Sequence, residues 1–253
     1  MAGIGIEYEA RDRVATITLN RTEVKNALDQ RALDALVDAV RTAGSDDEVW
    51  LIEVRANGTD FCAGHDIREI VEHRSGSDYF NPACQALRDS SKPVICAARG
   101  LCLGGGAGIV LSCDVRVVSK TTRMGWPHAR LGICSANAPA SLARAVPVNI
   151  ALELMYTADL IDAPRILALG LANHVVDDGA LETFSTKMRD RILANAPLAV
   201  RAAKEATLAT RELSYTEAAR LAKKMHDDLM ASADAREGLR AFLEKRRPVW
   251  KAR

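Results

Sequence analysis

Between Val14 and Leu19 apolar side chains alternate with Ala and Thr, the two-residue period of a strand with one buried face. Further on, Leu33, Leu36, Val37 and Val40 recur at the spacing of an amphipathic helix, with Asp29 placed as its N-cap and Gly44 as its C-cap. Apolar runs predict further strands at Val49 to Val54, Val94 to Ala98 and Asp114 to Val118, with helical stretches at 65–74, 79–90 and 105–112. Strands that alternate with helices need crossover connections, which lay neighbouring strands parallel and pack helices against the sheet. The expected fold class is α/β. After Val176 the segments 179–195, 198–210, 214–232 and 234–246 carry helical spacing only. The expected division is therefore a core over residues 1–178 and a helical C-terminal region over 179–253. No Gly-, Ser- or Pro-rich linker separates them, and the apolar residues of the tail need a surface to cover them, so an oligomer is expected.

Composition narrows the function classes. With 48% apolar and 26% charged residues the chain is ordinary globular protein, which excludes disordered and fibrous classes. Thirty-four basic residues against 33 acidic leave a formal charge of +1, so no overall field draws the chain to nucleic acid or an anionic bilayer. None of the six cysteines belongs to a C-x-x-C pair or has a histidine at finger-like spacing, so no metal site is expected. Thiols inside apolar runs such as Val94 to Ala98 read as small buried hydrophobes in a reducing compartment. No run approaches the roughly 18 apolar residues of a membrane span, and the start MAGIGIEYEARD carries no targeting pattern. The expected location is cytoplasmic, away from membranes.

Two loops carry candidate chemistry. Gly104-Gly105-Gly106 lies between an expected strand and a short helix, where glycines admit a ligand close to the backbone and the first helical N–H groups lack intrahelical partners. Neither a dinucleotide fingerprint nor a P-loop fits, because position 109 is Ile109 and no Gly-Lys-Ser/Thr ending follows. A tight turn with close helix–strand packing is the plainer reading of this loop alone. Asp60 to Ile67 repeats the arrangement after an earlier strand. Two such loops at the carboxyl ends of parallel strands can aim two backbone N–H groups at one point, forming an oxyanion hole. Loss of one such donor typically costs about 2.7–4 kcal/mol of barrier.

The segments Phe61 to Ile67, Lys92 to Ile95, Arg99-Gly100, Gly104 to Gly106 and Cys113-Asp114 resemble the signature of the crotonase, or enoyl-CoA hydratase/isomerase, superfamily. The resemblance starts at Asn20-Arg21 and Asn26-Ala27-Leu28, and runs through Gly170 to Ala172 and Val175-Val176 to Gly238-Leu239 and Phe242 to Arg246. Arg144 to Pro147, Lys245 to Trp250 and Gly64 to Asp66 look most like the subgroup called enoyl-CoA hydratase domain-containing protein 3. The resemblance implies a spiral of ββα units with a helical trimerisation tail, assembled as trimers or dimers of trimers. It also implies an acyl-CoA or enoyl-CoA thioester as ligand, with coenzyme A part of the substrate and no separate cofactor. By position, the two oxyanion amides fall on His65 and Gly105. The turn Ala63 to Ile67, with Ala63, Asp66 and Ile67, would hold the CoA adenine through backbone groups, and Lys245 and Arg246 would meet CoA phosphates.

The sequence departs from that family at the acid/base positions. A hydratase needs a carboxylate pair to position water and pass its proton to the α-carbon, and the two glutamate positions are here Gly108 and His128. Between Asp89 and Glu153 the only acid is Asp114, where the chain average of 33 in 253 would place about eight. Asp114, at a strand entrance, reads as structural. Lys92, Arg99, Arg116, Lys120, Arg123, Arg130 and Arg144 make the same stretch basic, which suits either an anionic ester or a solvated face. His128 is a competent base at the right position, or else a loop histidine with a local hydrogen bond. Asn137 and Ser135 are candidates to orient it or a water. The imidazole of His65 reads as a surface group, since its implied role uses only the backbone. His73, His174 and His226 fit polar ends of helices or strands, Trp126 fits ordinary core, and Cys62 and Cys134 lie nearest the presumed site. Three function classes follow: an enzyme forming a thioester enolate, for which isomerisation is easier to support than hydration; a non-catalytic acyl-CoA binder; and a ligand-free structural trimer, which leaves both loops unexplained.

Overall fold

The computed structural model describes residues 5–73 and 80–253; positions 74 and 79, the facing ends of two expected helices, lie outside it. Strands β1 (Ile6–Arg11) and β2 (Val14–Leu19) form a hairpin. Its two turn residues, Asp12 and Arg13, both have positive φ, 50° and 70°, a turn whose twist matches that of the paired strands. Then follow α1 (Gln30–Ser45), β3 (Leu51–Ala56), α2 (Ile67–His73), α3 (Phe80–Asp89), β4 (Val94–Ala98), β5 (Leu101–Leu103), α4 (Gly105–Ser112), β6 (Val115–Ser119) and β7 (Arg123–Gly125). Helices α5 (Ala138–Ala143) and α6 (Val148–Thr157), strand β8 (Ile161–Asp162), helix α7 (Ala163–Ala168) and strand β9 (His174–Val176) precede the tail helices α8 (Leu181–Leu193), α9 (Pro197–Ala209), α10 (Tyr215–Met230) and α11 (Ala233–Leu243).

The main sheet has the order β1-β2-β3-β4-β6-β9 and is parallel from β2 onward. A second, three-stranded sheet has the order β5-β7-β8. The α/β class and all four expected strands are present, within two residues of the expected bounds. Helix α1 begins where Asp29 accepts the Ala32 N–H at 2.9 Å, and it buries Leu33, Leu36, Val37 and Val40 on the apolar face of the sheet. Gly44 does not end it. The helix runs through to Ser45, with the Asp46 N–H bonded back to the Thr42 carbonyl; Gly44 does not take the positive φ of a glycine cap. His226 lies inside α10 and not at a helix end, whereas His174 opens β9 with its ring 4.9 Å from that of Phe184.

The chain divides into two compact units. One comprises the chain up to Ser90 together with Val94–Thr186, and the other Ser91–Pro93 with Lys187–Arg253, so that the division falls within α8. In the second unit Ser214 and Glu217 make a reciprocal capping box at the start of α10, which satisfies two otherwise unpaired N–H groups. No helix among the described residues is long and apolar enough to cross a membrane.

Candidate active site

The first loop is fixed from below by buried polar groups. Lys25 and Asn26 both adopt φ of 54°, and the Asn26 side chain, 1% exposed, accepts the Arg21 N–H and donates to the carbonyls of Asn57 and Asp60 at 2.9 and 2.8 Å. This ties the segment after β2 to the segment after β3. The Ala63 N–H then donates to Lys25, the Leu28 N–H to Gly64 and the Asp66 N–H to Leu28, at 3.0, 2.8 and 3.0 Å. Arg21 pairs with Asp29 and Asp66 at 3.1 and 3.5 Å. Of the three turn residues expected near a CoA adenine, Ala63 and Asp66 thus use their amides to hold the turn, and Ile67 is 51% exposed at the start of α2.

The second loop is attached to the first. The N–H of Cys62 donates to the Leu101 carbonyl and that of Leu103 to the Cys62 carbonyl, both at 2.9 Å. A Cβ on Gly106 would lie 2.4 Å from the Cys62 carbonyl oxygen, so this approach requires glycine. Gly64 has φ of +101°, and a Cβ there would stand 3.0 Å from the Leu103 oxygen and 3.7 Å from the Gly105 nitrogen. The residue immediately before His65 is therefore a neighbour of the amide that opens α4.

The His65 imidazole is not a surface group. Its side chain is 11% exposed, its Nε2 lies 2.7 Å from Glu69 Oε2, and its ring meets the edge of Phe80 at 6.0 Å. Glu69 is one turn along α2 and also accepts the Gln30 N–H at the start of α1. A partner on the next turn and an aromatic neighbour together draw the ring inward.

His128 reaches the same place from the second sheet. Leu103 pairs with Gly125, and the Gly104 N–H donates to the Gly125 carbonyl at 2.9 Å, so the end of β7 lies beside the glycine loop. Pro127 starts a short 3₁₀ helix, Pro127–Leu131, that carries His128. The imidazole Cε1 and Nε2 stand 3.2 and 3.4 Å from where a Cβ on Gly104 would be. Nδ1 is buried and makes no hydrogen bond of sound geometry among the described residues. Burial lowers the His128 pKa below the ordinary imidazole value, and the nearby Trp126 carbonyl opposes that shift in part. The ring is the neutral, proton-accepting form near pH 7.

These groups line one cavity of about 540 Å³, with Gly64, His65, Gly104, Gly105, Gly108, His128 and Asn137 on its polar side and Ile67, Ile70, Phe80, Leu131 and Ile133 among its apolar walls. No Asp or Glu is among the described residues that line it. A Cβ on Gly108 would meet Cys84 Sγ at 3.3 Å and Asn137 Oδ1 at 3.7 Å, so Gly108, the position where the resemblance implies a glutamate, faces Asn137. Asn137 donates to Asn81, and its buried Oδ1 has no hydrogen-bond partner among the described residues. The Ser135 hydroxyl accepts the Ala138 N–H and so serves the start of α5.

The remaining candidates fall elsewhere. Asp114 accepts the Val94 N–H at 2.7 Å, a structural role at the strand entrance. Trp126 is 1% exposed, in the core. Burial raises the Cys62 thiol to about 12, and only Cys134 of the six cysteines is exposed. Arg99, Lys120 and Arg130, from the basic stretch, pair with Glu182, Asp177 and Asp159. In the second unit Arg246 is held by both oxygens of Glu237 and by Glu244, while Lys245 is exposed just past α11. Among the described residues no group of three or more His, Cys, Asp or Glu side chains is placed to hold a metal ion.

Residues 9–253 match the family model for enoyl-CoA hydratase/isomerase. The chain belongs to that family. A probable mitochondrial enoyl-CoA hydratase from Dictyostelium discoideum is 32% identical over 96% of this chain and 89% of its own length. The mitochondrial enoyl-CoA hydratase domain-containing protein 3 of Homo sapiens is 29% identical over 94% of this chain and 81% of its own length. The subgroup expected from the chain endings is thus among the relatives, beside proteins named as hydratases at similar identity. The crystal structure of an enoyl-CoA hydratase/isomerase from Mycobacterium paratuberculosis superposes with a TM-score of 0.90 at 33% identity, covering 98% of this chain and 99% of that one. The sequence does not single out Glu69 or Phe80, and it names Asn137 without placing it. Only Glu69, at i+4 from His65, carried a local signal.

Proposed function

We propose that this member of the enoyl-CoA hydratase/isomerase family binds an acyl- or enoyl-CoA thioester with its carbonyl between the backbone amides of His65 and Gly105. On this reading His128 moves one proton at the enolate carbon. The observation that carries it is a single cavity in which the Gly64–His65 turn, the Gly105 amide and a neutral His128 ring adjoin while no carboxylate is among the described lining residues. Enolate formation needs one base and a polarised carbonyl, whereas hydration also needs a group to position water. Isomerisation or another one-proton enolate reaction is therefore favoured over hydration. The assembly proposed is a homotrimer or dimer of trimers. Of the two residues proposed for the CoA phosphates, Lys245 is the stronger, because the Arg246 charge is already met by Glu237 and Glu244.

One observation favours a second reading, a non-catalytic acyl-CoA binder: Gly108 stands where the resemblance implies a glutamate, and no Asp or Glu is among the described residues of the cavity wall. The two are separated by incubating the protein with a saturated acyl-CoA in deuterated water and following exchange of the α-protons, with binding measured by calorimetry. The enzyme reading predicts exchange that falls by about 10²–10⁴ in His128→Ala while binding persists. Binding without exchange selects the non-catalytic reading, and no binding contradicts both.

A further inference from the structure

We infer that Phe80 is a specificity-determining residue that restricts the ligand to thioesters unbranched at the α-carbon. The inference rests on the reading of His65 and Gly105 as the carbonyl-binding pair and adds the class of acyl group admitted. Phe80 begins α3, is 8% exposed and lines the cavity. A Cβ built on Gly105 would fall 2.3–2.4 Å from three atoms of its ring, so the ring lies flush on the Gly105 backbone and leaves no space for a methyl group there. The same ring meets His65 edge-on, at 6.0 Å between centroids and 61° between planes. One aromatic side chain thus touches both residues that supply the amides.

The α-carbon of a thioester is two bonds from its carbonyl oxygen, so whatever packs against the amides that hold that oxygen also borders the α-carbon. A substituent on the α-carbon that points toward Phe80 would meet the part of the ring that lines the cavity. The ring has little freedom to yield. It belongs to the hydrophobic core, and its neighbour His65 is pinned by Glu69 at 2.7 Å. One turn along α4 an added Cβ on Gly108 would stand 3.3 Å from Cys84 Sγ, against 2.3 Å from the Phe80 ring at Gly105, so Phe80 makes the tighter of the two contacts.

The test is the ratio of dissociation constants for butyryl-CoA and 2-methylbutyryl-CoA, by calorimetry, on the wild type, Phe80→Leu and Phe80→Ala. The wild type is expected to favour the unbranched thioester by about 10–200-fold, the range that one methyl-sized difference supports in an apolar pocket. Phe80→Leu should narrow the ratio and Phe80→Ala abolish it. Because the alanine change removes a core ring and can unfold the chain, the leucine variant and the wild-type ratio decide the matter by themselves. Equal binding of both thioesters by the wild type, or a preference unchanged in Phe80→Leu, overturns the role of Phe80 and leaves the acyl-CoA reading intact. Binding of neither thioester overturns that reading, and this inference with it.

Discussion

Burial sets the protonation of His128, and so what that residue can do. Its pKa in the folded chain lies below the 6.5 of an ordinary imidazole, chiefly through desolvation, so near neutrality it accepts a proton and does not carry one. The sign of the stability effect follows. As pH falls below the unfolded value, the unfolded chain takes up a proton that the folded chain resists, and stability declines until the folded pKa is passed. Wild type should therefore lose more stability than His128→Gln between about pH 7.5 and about pH 5, read as urea midpoints. Parallel losses in the two proteins would contradict a buried, neutral His128. The type and position of this residue were legible in the sequence, but its burial was not. His65 shows the same limit: Glu69 stands four residues on in plain view, yet nothing in the chain reveals that Phe80 and the start of α1 close around the pair.

Among the secondary-structure elements, most of those long enough to show a period were legible, β1 and α6 being exceptions, and those defined by tertiary pairing were not. Strands β2, β3, β4 and β6 have five or six residues each, and their apolar runs identify them. Strands β5, β7 and β8 have three, three and two, too few for alternation to register, although β5 and β7 bring Gly104 beside His128. The end of α1 was misread because glycine tolerates a helix interior when the next residues keep bonding backward. Helix α6 presents Val148, Leu152 and Tyr156 on one face, at 60%, 36% and 73% exposure, an apolar stripe of the kind that a subunit contact covers. If a second copy of this chain covers it, light scattering will give a trimeric or hexameric mass for the wild type and a smaller one for Tyr156→Asp. A monomeric wild type would contradict the proposed assembly.

For the whole molecule, the cavity draws its groups from stretches distant in sequence: residues 63–70, α3 at Phe80 and Cys84, the loop and helix at 104–108 and the segment at 127–138. Motif spacing located the two glycine-bearing stretches, because close backbone approach leaves its mark as glycine, at Gly64 and Gly106 above all. The segment at 127–138 is marked only by the place of His128 in the family resemblance, and the apolar wall of Phe80, Leu131 and Ile133 left no local mark. The fold and family are those of enoyl-CoA hydratase/isomerase, and the proposal that the site polarises a carbonyl without activating water rests on Gly108 and His128 in the cavity wall. The most direct test is the carbonyl stretch of an isotope-labelled acyl-CoA thioester, compared by difference Raman spectroscopy free in water and bound to the protein. Grip by the His65 and Gly105 amides predicts a lower stretching frequency on binding, retained in His128→Ala because that change leaves both amides in place. A bound thioester whose carbonyl stretch matches that in water would contradict the account.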